Sequence, residues 1–286
     1  MDTRPGLAAP PLVSDEWLLE HRHDGDVVVV EVDEEPGVYY SGHIPGAHNV
    51  DWVDDLHHPL QRSFVGSEAF ARLVTRLGVG NDGHVVLYGD ASNFFAASAY
   101  WLFRYHGHQR VSLLDGGRRF WVQRGHDLVD DTPTRRPGPP YRVQAVNPQF
   151  RATRDELLSR YVGAPAGTVL LDCRSPQEYD GKVTETVDLP VERQRAVGHV
   201  PGAVNLSSSM LVDPSTSRLL PVEQLRQLYT ERGVREDSDV ALYCRVAERS
   251  ALLWFVLHDL LGHPHVRNYD GGWAEYGSLM DVPIER

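Results

Sequence analysis

The chain has 286 residues, 41% hydrophobic and 24% charged, with a formal charge of −12 at pH 7. This is globular composition, sufficient for two domains of about 100–150 residues with ordinary cores, and it excludes a disordered chain. No apolar run approaches the ~18 residues of a membrane-spanning helix, and an acidic chain with no basic patch beyond local pairs such as Arg135-Arg136 is not built to hold nucleic acid.

Residues 1–11 read as a loose arm with neither the apolar core nor the length of a secretory signal, so a cytoplasmic location is expected. Ser14 caps a short helix from Asp15, and the β-branched run Val27 to Val32 predicts a strand. The turn Gly42-His43-Ile44-Pro45-Gly46-Ala47-His48-Asn49-Val50 leads to a second strand. A helix over 67–77, a strand over 85–88, a helix over 94–106 and a strand over 111–114, ending at Asp115-Gly116-Gly117, complete this half. Asp130 to Pro148, containing Thr-Pro-Thr-Arg-Arg-Pro-Gly-Pro-Pro, predicts an extended connector, because proline fixes φ and donates to no ladder. The second half follows the same plan: helices over 154–161, 222–231 and 251–261, and strands over 168–172, 240–243 and 266–269. Alternating short strands and helices predict an α/β fold of mostly parallel sheets flanked by helices, with functional groups beyond the carboxyl ends of the strands.

The two halves are copies. Gly42-His43-Ile44-Pro45-Gly46-Ala47 recurs as Gly198-His199-Val200-Pro201-Gly202-Ala203, Val85 to Tyr88 recurs as Val240 to Tyr243, and Leu114-Asp115-Gly116-Gly117 recurs as Tyr269-Asp270-Gly271-Gly272, all at offsets of 155 or 156 residues. A tandem duplication with domains over 12–130 and 149–286, joined by a linker over 131–148, is the expected organisation. Cys244 stands where the first copy has Gly89, and Arg249 where it has Phe94, so the first copy is expected to be structural.

Cys244 leaves a buried strand and enters a tight loop before a buried helix, with Arg245 and Arg249 beside it. Free backbone N–H groups, the helix dipole and fixed positive charge all favour a thiolate there, which predicts an activated nucleophile in a cradle for a small anion. The six residues from Cys244 to Arg249 form a Cys-x4-Arg loop, one residue shorter than the Cys-x5-Arg of cysteine phosphatases, and a tighter cup suits a sulfur atom better than a phosphoryl group. Two cysteines, Cys173 and Cys244, are no disulfide framework, and a bond between them would need the sulfurs to lie close. The histidine pairs His57/His58, His106/His108 and His263/His265 lack the other ligands of a zinc site, and no phosphate loop or dinucleotide fingerprint occurs, so no metal or cofactor is expected.

Taken with the strand end Leu171-Asp172-Cys173-Arg174, the loop Cys244-Arg245-Val246-Ala247-Glu248-Arg249 and the run Asn268-Tyr269-Asp270-Gly271-Gly272-Trp273, the paired turns resemble a two-domain rhodanese of bacterial type over residues 12–286. The resemblance implies a thiosulfate sulfurtransferase whose second domain carries the nucleophile. Cys244 takes a sulfane sulfur as a persulfide and passes it to cyanide or a thiol, releasing sulfite, with a small anionic donor as the other partner. It further implies that Arg245, Arg249 and the main chain of Val246, Ala247 and Glu248 hold the donor, that Asp172 and Arg174 brace the loop, and that Trp273 walls it. Arginine after the cysteine points to thiosulfate over 3-mercaptopyruvate; a persulfide carrier serving a partner protein is the further alternative. His43 and His199, present in both copies, are expected to be scaffold. Ala247 stands where many relatives have glycine, and if φ is positive there alanine is strained by about 1–2 kcal/mol.

Overall fold

A computed structural model describes residues 9–35, 37–131, 138–182 and 196–286. The chain forms two compact units, one of Met1–Pro148 with Val212–Leu219, the other of Gln149–Leu211 with Leu220–Arg286.

In the first unit β1 (Leu12–Val13) precedes α1 (Asp15–His21), whose start is set by Ser14 accepting from the Trp17 amide at 3.2 Å. Then come β2 (Val27–Asp33), α2 (Gly37–Tyr40), β3 (His48–Asp51), α3 (Ser67–Arg76), β4 (His84–Tyr88), α4 (Phe94–Tyr105), β5 (Val111–Leu114) and α5 (Gly117–Gln123). The strands pair in parallel in the order β1-β5-β4-β2-β3. β4 is buried along its whole length and α4 over Ala96 to Arg104, which is why both read as continuous apolar runs rather than alternating ones. Within the expected arm and connector, residues 1–8 and 132–137 lie outside the described residues. Pro11 offers its carbonyl to Leu113 at 2.8 Å, and Tyr141 donates its amide to Thr75 Oγ1 at 2.9 Å, so the described parts lie along this unit.

The second unit repeats the plan. α6 (Arg154–Glu156) opens on a reciprocal cap between Thr153 and Glu156 and runs on as a wide π-turn over Leu157–Tyr161. β6 (Thr168–Asp172), α7 (Pro176–Tyr179), β7 (Val204–Asn205), α8 (Val222–Glu231), β8 (Asp239–Tyr243), α9 (Glu248–Trp254), β9 (Val266–Asn268) and α10 (Gly272–Tyr276) follow. Among the described residues the parallel order is β7-β6-β8-β9, so the strand ending at Asp172 lies beside the strand ending at Tyr243. α9 begins three residues before the expected Ala251, because the left-handed Ala247 turns the chain straight into the helix, and it continues as a π-turn over Phe255–Leu260. α2, α5, α7 and α10 are too short to show a helical period in sequence.

Candidate active site

Cys244 follows the carboxyl end of β8, and Cys173 follows β6 beside it, its amide bonded to the Tyr243 carbonyl at 2.8 Å. Both thiols are free and fully buried. The loop after Cys244 closes through Ala247, at φ +82° and fully buried, whose amide donates to Cys244 Sγ at 3.2 Å. From below, the turn before α10 grips its carbonyls: Trp273 N donates to Cys244 O at 2.7 Å and Ala274 N to Arg245 O at 3.1 Å. Gly272, at φ +58°, must lack a side chain, since a Cβ would stand 2.3 Å from Arg245 O and 2.9 Å from Cys244 O. Arg245 and Val246 are half-buried on the loop.

Glu248 and Arg249 open α9. Cys244 Sγ donates to Glu248 Oε2 at 3.2 Å, and the other oxygen, Oε1, accepts from Arg249 Nε at 3.1 Å. Beyond it, Arg249 grips Glu178 of α7 with Nη1 at 2.7 Å and Nη2 at 3.2 Å. The result is a chain of alternating groups running thiol, carboxylate, guanidinium, carboxylate. Its electrostatics differ from the thiolate expected of the loop. Burial, reinforced by the negative charge of Glu248 and only partly opposed by Arg249, pushes the Cys244 thiol up to about 11. Arg249 is shared between two carboxylates, its neighbour Glu248 and the distant Glu178, and sequence spacing does not reveal the second. Burial would raise Glu178 as well, but the Arg249 pair and the bonds from Ser175 outweigh it and hold that carboxyl below its ordinary range.

Asp172, Arg174 and Trp273 form a second cluster. Successive residues of a strand face opposite ways, so Asp172 and Tyr243 share the sheet face away from the two sulfurs. Arg174 grips both Asp172 oxygens, with Nη2 2.6 Å from Oδ2, donates to Gly198 O at 2.7 Å, and lies 4.4 Å from the centre of the Trp273 ring. Trp273 Nε1 is bonded to Ala196 O at 3.2 Å. These residues hold the strand end and the Gly198 turn, and through the Trp273 amide the floor of the loop.

Residues 14–124 and 153–279 each match the family model of the rhodanese-like domain. The chain belongs to the rhodanese-like family. It is 46% identical over 283 residues, 98% of its length and 99% of the relative's, to a protein of Thermus thermophilus named sulfur carrier protein TtuD. It is 43% identical over 274 residues, 96% of its length and 95% of the relative's, to a Saccharopolyspora erythraea protein bearing the name "Putative thiosulfate sulfurtransferase". The crystal structure of YnjE, at 23% identity, superimposes with a TM-score of 0.83 over 96% of this chain and 69% of that one, a likeness of fold. The family is one of sulfurtransferases and sulfur carriers.

Comparison of the two rhodanese-like copies separates what they share from what they do not. Tyr88 and Tyr243 occupy the same place, their hydroxyls accepting from the Ile44 and Val200 amides at 2.9 and 3.1 Å. Glu31 takes the place of Asp172, and its guanidinium partner is Arg118, which binds Glu31 at 2.9 Å and also donates to Gly42 O. Arg118 aligns with Trp273, not with Arg174, so one brace is built from different positions in the two copies. His43 and His199 stack on Tyr39 and Tyr179 with ring centres 3.9 and 3.7 Å apart. At Gly89, the counterpart of Cys244, a Cβ would stand 2.4 Å from Val32 O, so the backbone has closed over the vacated position. Sequence reasoning missed Glu178. Ser175-Pro176-Gln177-Glu178 is a legible helix-capping pattern, but only the fold carries its carboxylate to Arg249, 71 residues away in sequence. Among the described residues no group of three or more His, Cys, Asp or Glu could hold a metal, and no helix is long and apolar enough to cross a membrane.

Proposed function

We infer that the chain is a cytoplasmic thiosulfate sulfurtransferase that carries sulfane sulfur as a persulfide on Cys244. The observation that carries this reading is the cysteine itself: it lies at the carboxyl end of β8 in a short arginine-bearing loop, with its counterpart in the other copy replaced and closed over. Cys244 attacks the outer sulfur of thiosulfate, the S–S bond of the donor breaks, and sulfite leaves with the bonding pair. Cyanide or a thiol then attacks the outer sulfur of the persulfide and regenerates Cys244. Arg245 and Arg249 supply the positive charge that a doubly charged donor needs in a chain of net charge −12. The loop amides of Val246, Ala247 and Glu248 stabilise the terminal sulfur, much as an oxyanion hole would. Arg245 favours thiosulfate over 3-mercaptopyruvate as donor.

A carrier role, in which the persulfide is handed to a partner protein, is supported by the name of the Thermus relative. Intact mass after incubation with thiosulfate separates the readings. Wild type should gain one sulfur atom, about 32 Da, that cyanide removes, and Cys244→Ser should gain none. Uptake from mercaptopyruvate alone would shift the donor, whereas a persulfide that resists cyanide but passes to a protein thiol would favour the carrier. No adduct with either donor would end the sulfurtransferase reading.

A further inference from the structure

Glu248 is 8% exposed, and its side chain has two jobs at once: Oε2 accepts from Cys244 Sγ at 3.2 Å while Oε1 is held by Arg249 Nε at 3.1 Å. Arg249 is in turn held by Glu178, which its own cap to Ser175 keeps in place. A carboxylate whose position is set from two sides, aimed at a nucleophilic sulfur that has no access to water, is placed to move a proton rather than to bind an anion. Its negative charge would repel a donor such as thiosulfate, so a donor-binding role for its side chain fails on charge.

We propose that Glu248 is a catalytic residue of sulfur transfer, the base that takes the Cys244 proton as the sulfur attacks and holds it beside the persulfide until delivery. The step rests on the sulfurtransferase reading above and balances within it. The thiol, the Glu248 carboxylate and thiosulfate (total charge −3) give a Cys244 persulfide anion, a neutral Glu248 carboxylic acid and sulfite (total −3). The S–H pair of Cys244 becomes the new S–S bond, and the donor's S–S pair leaves on sulfite. The carboxylic acid then donates a hydrogen bond to the persulfide, and returns its proton to Cys244 when the acceptor removes the outer sulfur. No proton crosses to solvent during the cycle, which suits a buried sulfur.

This role explains an otherwise contrary arrangement. The Glu248 charge helps raise the Cys244 thiol to about 11, so at neutral pH the unaided thiolate would be scarce. A base in contact removes the need for it to accumulate. The charged and titratable groups facing this pair are Arg249 beside it on α9, Glu178 on α7 through that arginine, and Cys173 after the end of β6.

The test is the pH profile of sulfur uptake between pH 6 and 9 for wild type, Glu248→Gln and Glu248→Asp. It is followed by sulfite release in a single turnover, with peptide mapping to place the sulfur on Cys244. Alkylation of Cys244 by iodoacetamide is followed over the same range. Wild type should be flat within about twofold, because the Cys244 proton passes to the carboxylate in contact with it and not to solvent, and Asp should keep a flat profile at a lower rate. Gln should climb about tenfold per pH unit up to its thiol pKa, even though losing the like charge makes its thiol more acidic than wild type. A wild-type rate that itself climbs tenfold per unit, or a Gln variant that stays flat or is simply faster, would overturn the proposal. Should thiosulfate leave no sulfur while alkylation shows the flat-to-steep change on Glu248→Gln, the donor assignment falls and the base stands. Uptake with steep profiles throughout does the reverse.

Discussion

Ala247 holds a left-handed conformation that glycine adopts freely and alanine does not, and it does so at the centre of the loop after Cys244 with no exposed surface. Two effects oppose each other on Ala247→Gly: relief of Cβ strain, about 1–2 kcal/mol, and greater freedom of the unfolded chain, about 0.4–1 kcal/mol. Relief should win, and the variant should gain about 0.5–1 kcal/mol in urea unfolding; a loss would show that the alanine methyl packs more than it strains. The Arg249–Glu178 pair works in the other direction. Both side chains are largely buried, at 16% and 9% exposed, and removing one partner strands the other's charge away from water. Glu178→Ala should therefore cost about 3 kcal/mol, read from the urea midpoint at constant slope, and a cost under about 0.5 kcal/mol would mean that Glu248 alone satisfies the arginine.

At the level of elements, the strand–loop–helix unit around Cys244 is the same one found around Gly89, with glycine in place of the cysteine. Arg118 N donates to Gly89 O at 3.0 Å as Trp273 N does to Cys244 O, and Gly117 presses against the first loop as Gly272 does against the second. Restoring a cysteine to the first copy should not restore a site. Gly89→Cys would push Cβ into the Val32 carbonyl and close to Asp33 Oδ1, a backbone obstacle that a rotamer change cannot avoid. The variant should lose about 1–3 kcal/mol and gain no second cyanide-labile sulfur by intact mass; a second adduct, mapped to the introduced thiol, would show that the loop reopens. The two braces make the same point from the other side. A guanidinium must reach the Gly42 or Gly198 carbonyl and a strand-end carboxylate together, and the fold accepts it from Arg118 or from Arg174 because both positions converge there.

Over the whole molecule, buried histidines occur in both units, and three in the first share one electrostatic character. His84, His106 and His108 are each pushed down to about 4, chiefly by burial, with His106 stacked on Phe70 at 4.4 Å and His84 bonded to Ser112 at 2.7 Å. Each is neutral in the fold and protonates near 6.5 once unfolded. The unfolded state therefore binds more protons between pH 6.5 and 4, so the stability these residues contribute is present above 6.5 and is lost as pH falls through 4. Each adds about 1.4 kcal/mol per pH unit to the slope in that window. Urea unfolding at pH 7, 6 and 5 should show the first unit weakening steeply, and His106→Gln should make the slope shallower by about that amount; an unchanged slope would mean that His106 titrates alike in both states.

The sequence by itself determined the duplication, the strand–helix alternation and the place of the cysteine loop. These are local or periodic features: a repeated Gly-His-x-Pro-Gly-Ala turn, runs of buried β-branched residues, and a cysteine between a strand and a helix where the other copy has glycine. Only the tertiary structure decided the electrostatics. Cys244 carries arginines at short spacing, which reads as a thiolate cradle, yet Arg249 is engaged by Glu178 from another helix and by Glu248, and Glu248 turns its other oxygen to the sulfur. Spacing along the chain records which charges are present near a site. Which of them remain unbalanced there, and what burial then does to each, depends on groups brought in from distant segments and on the exclusion of water, and neither is written in the local sequence.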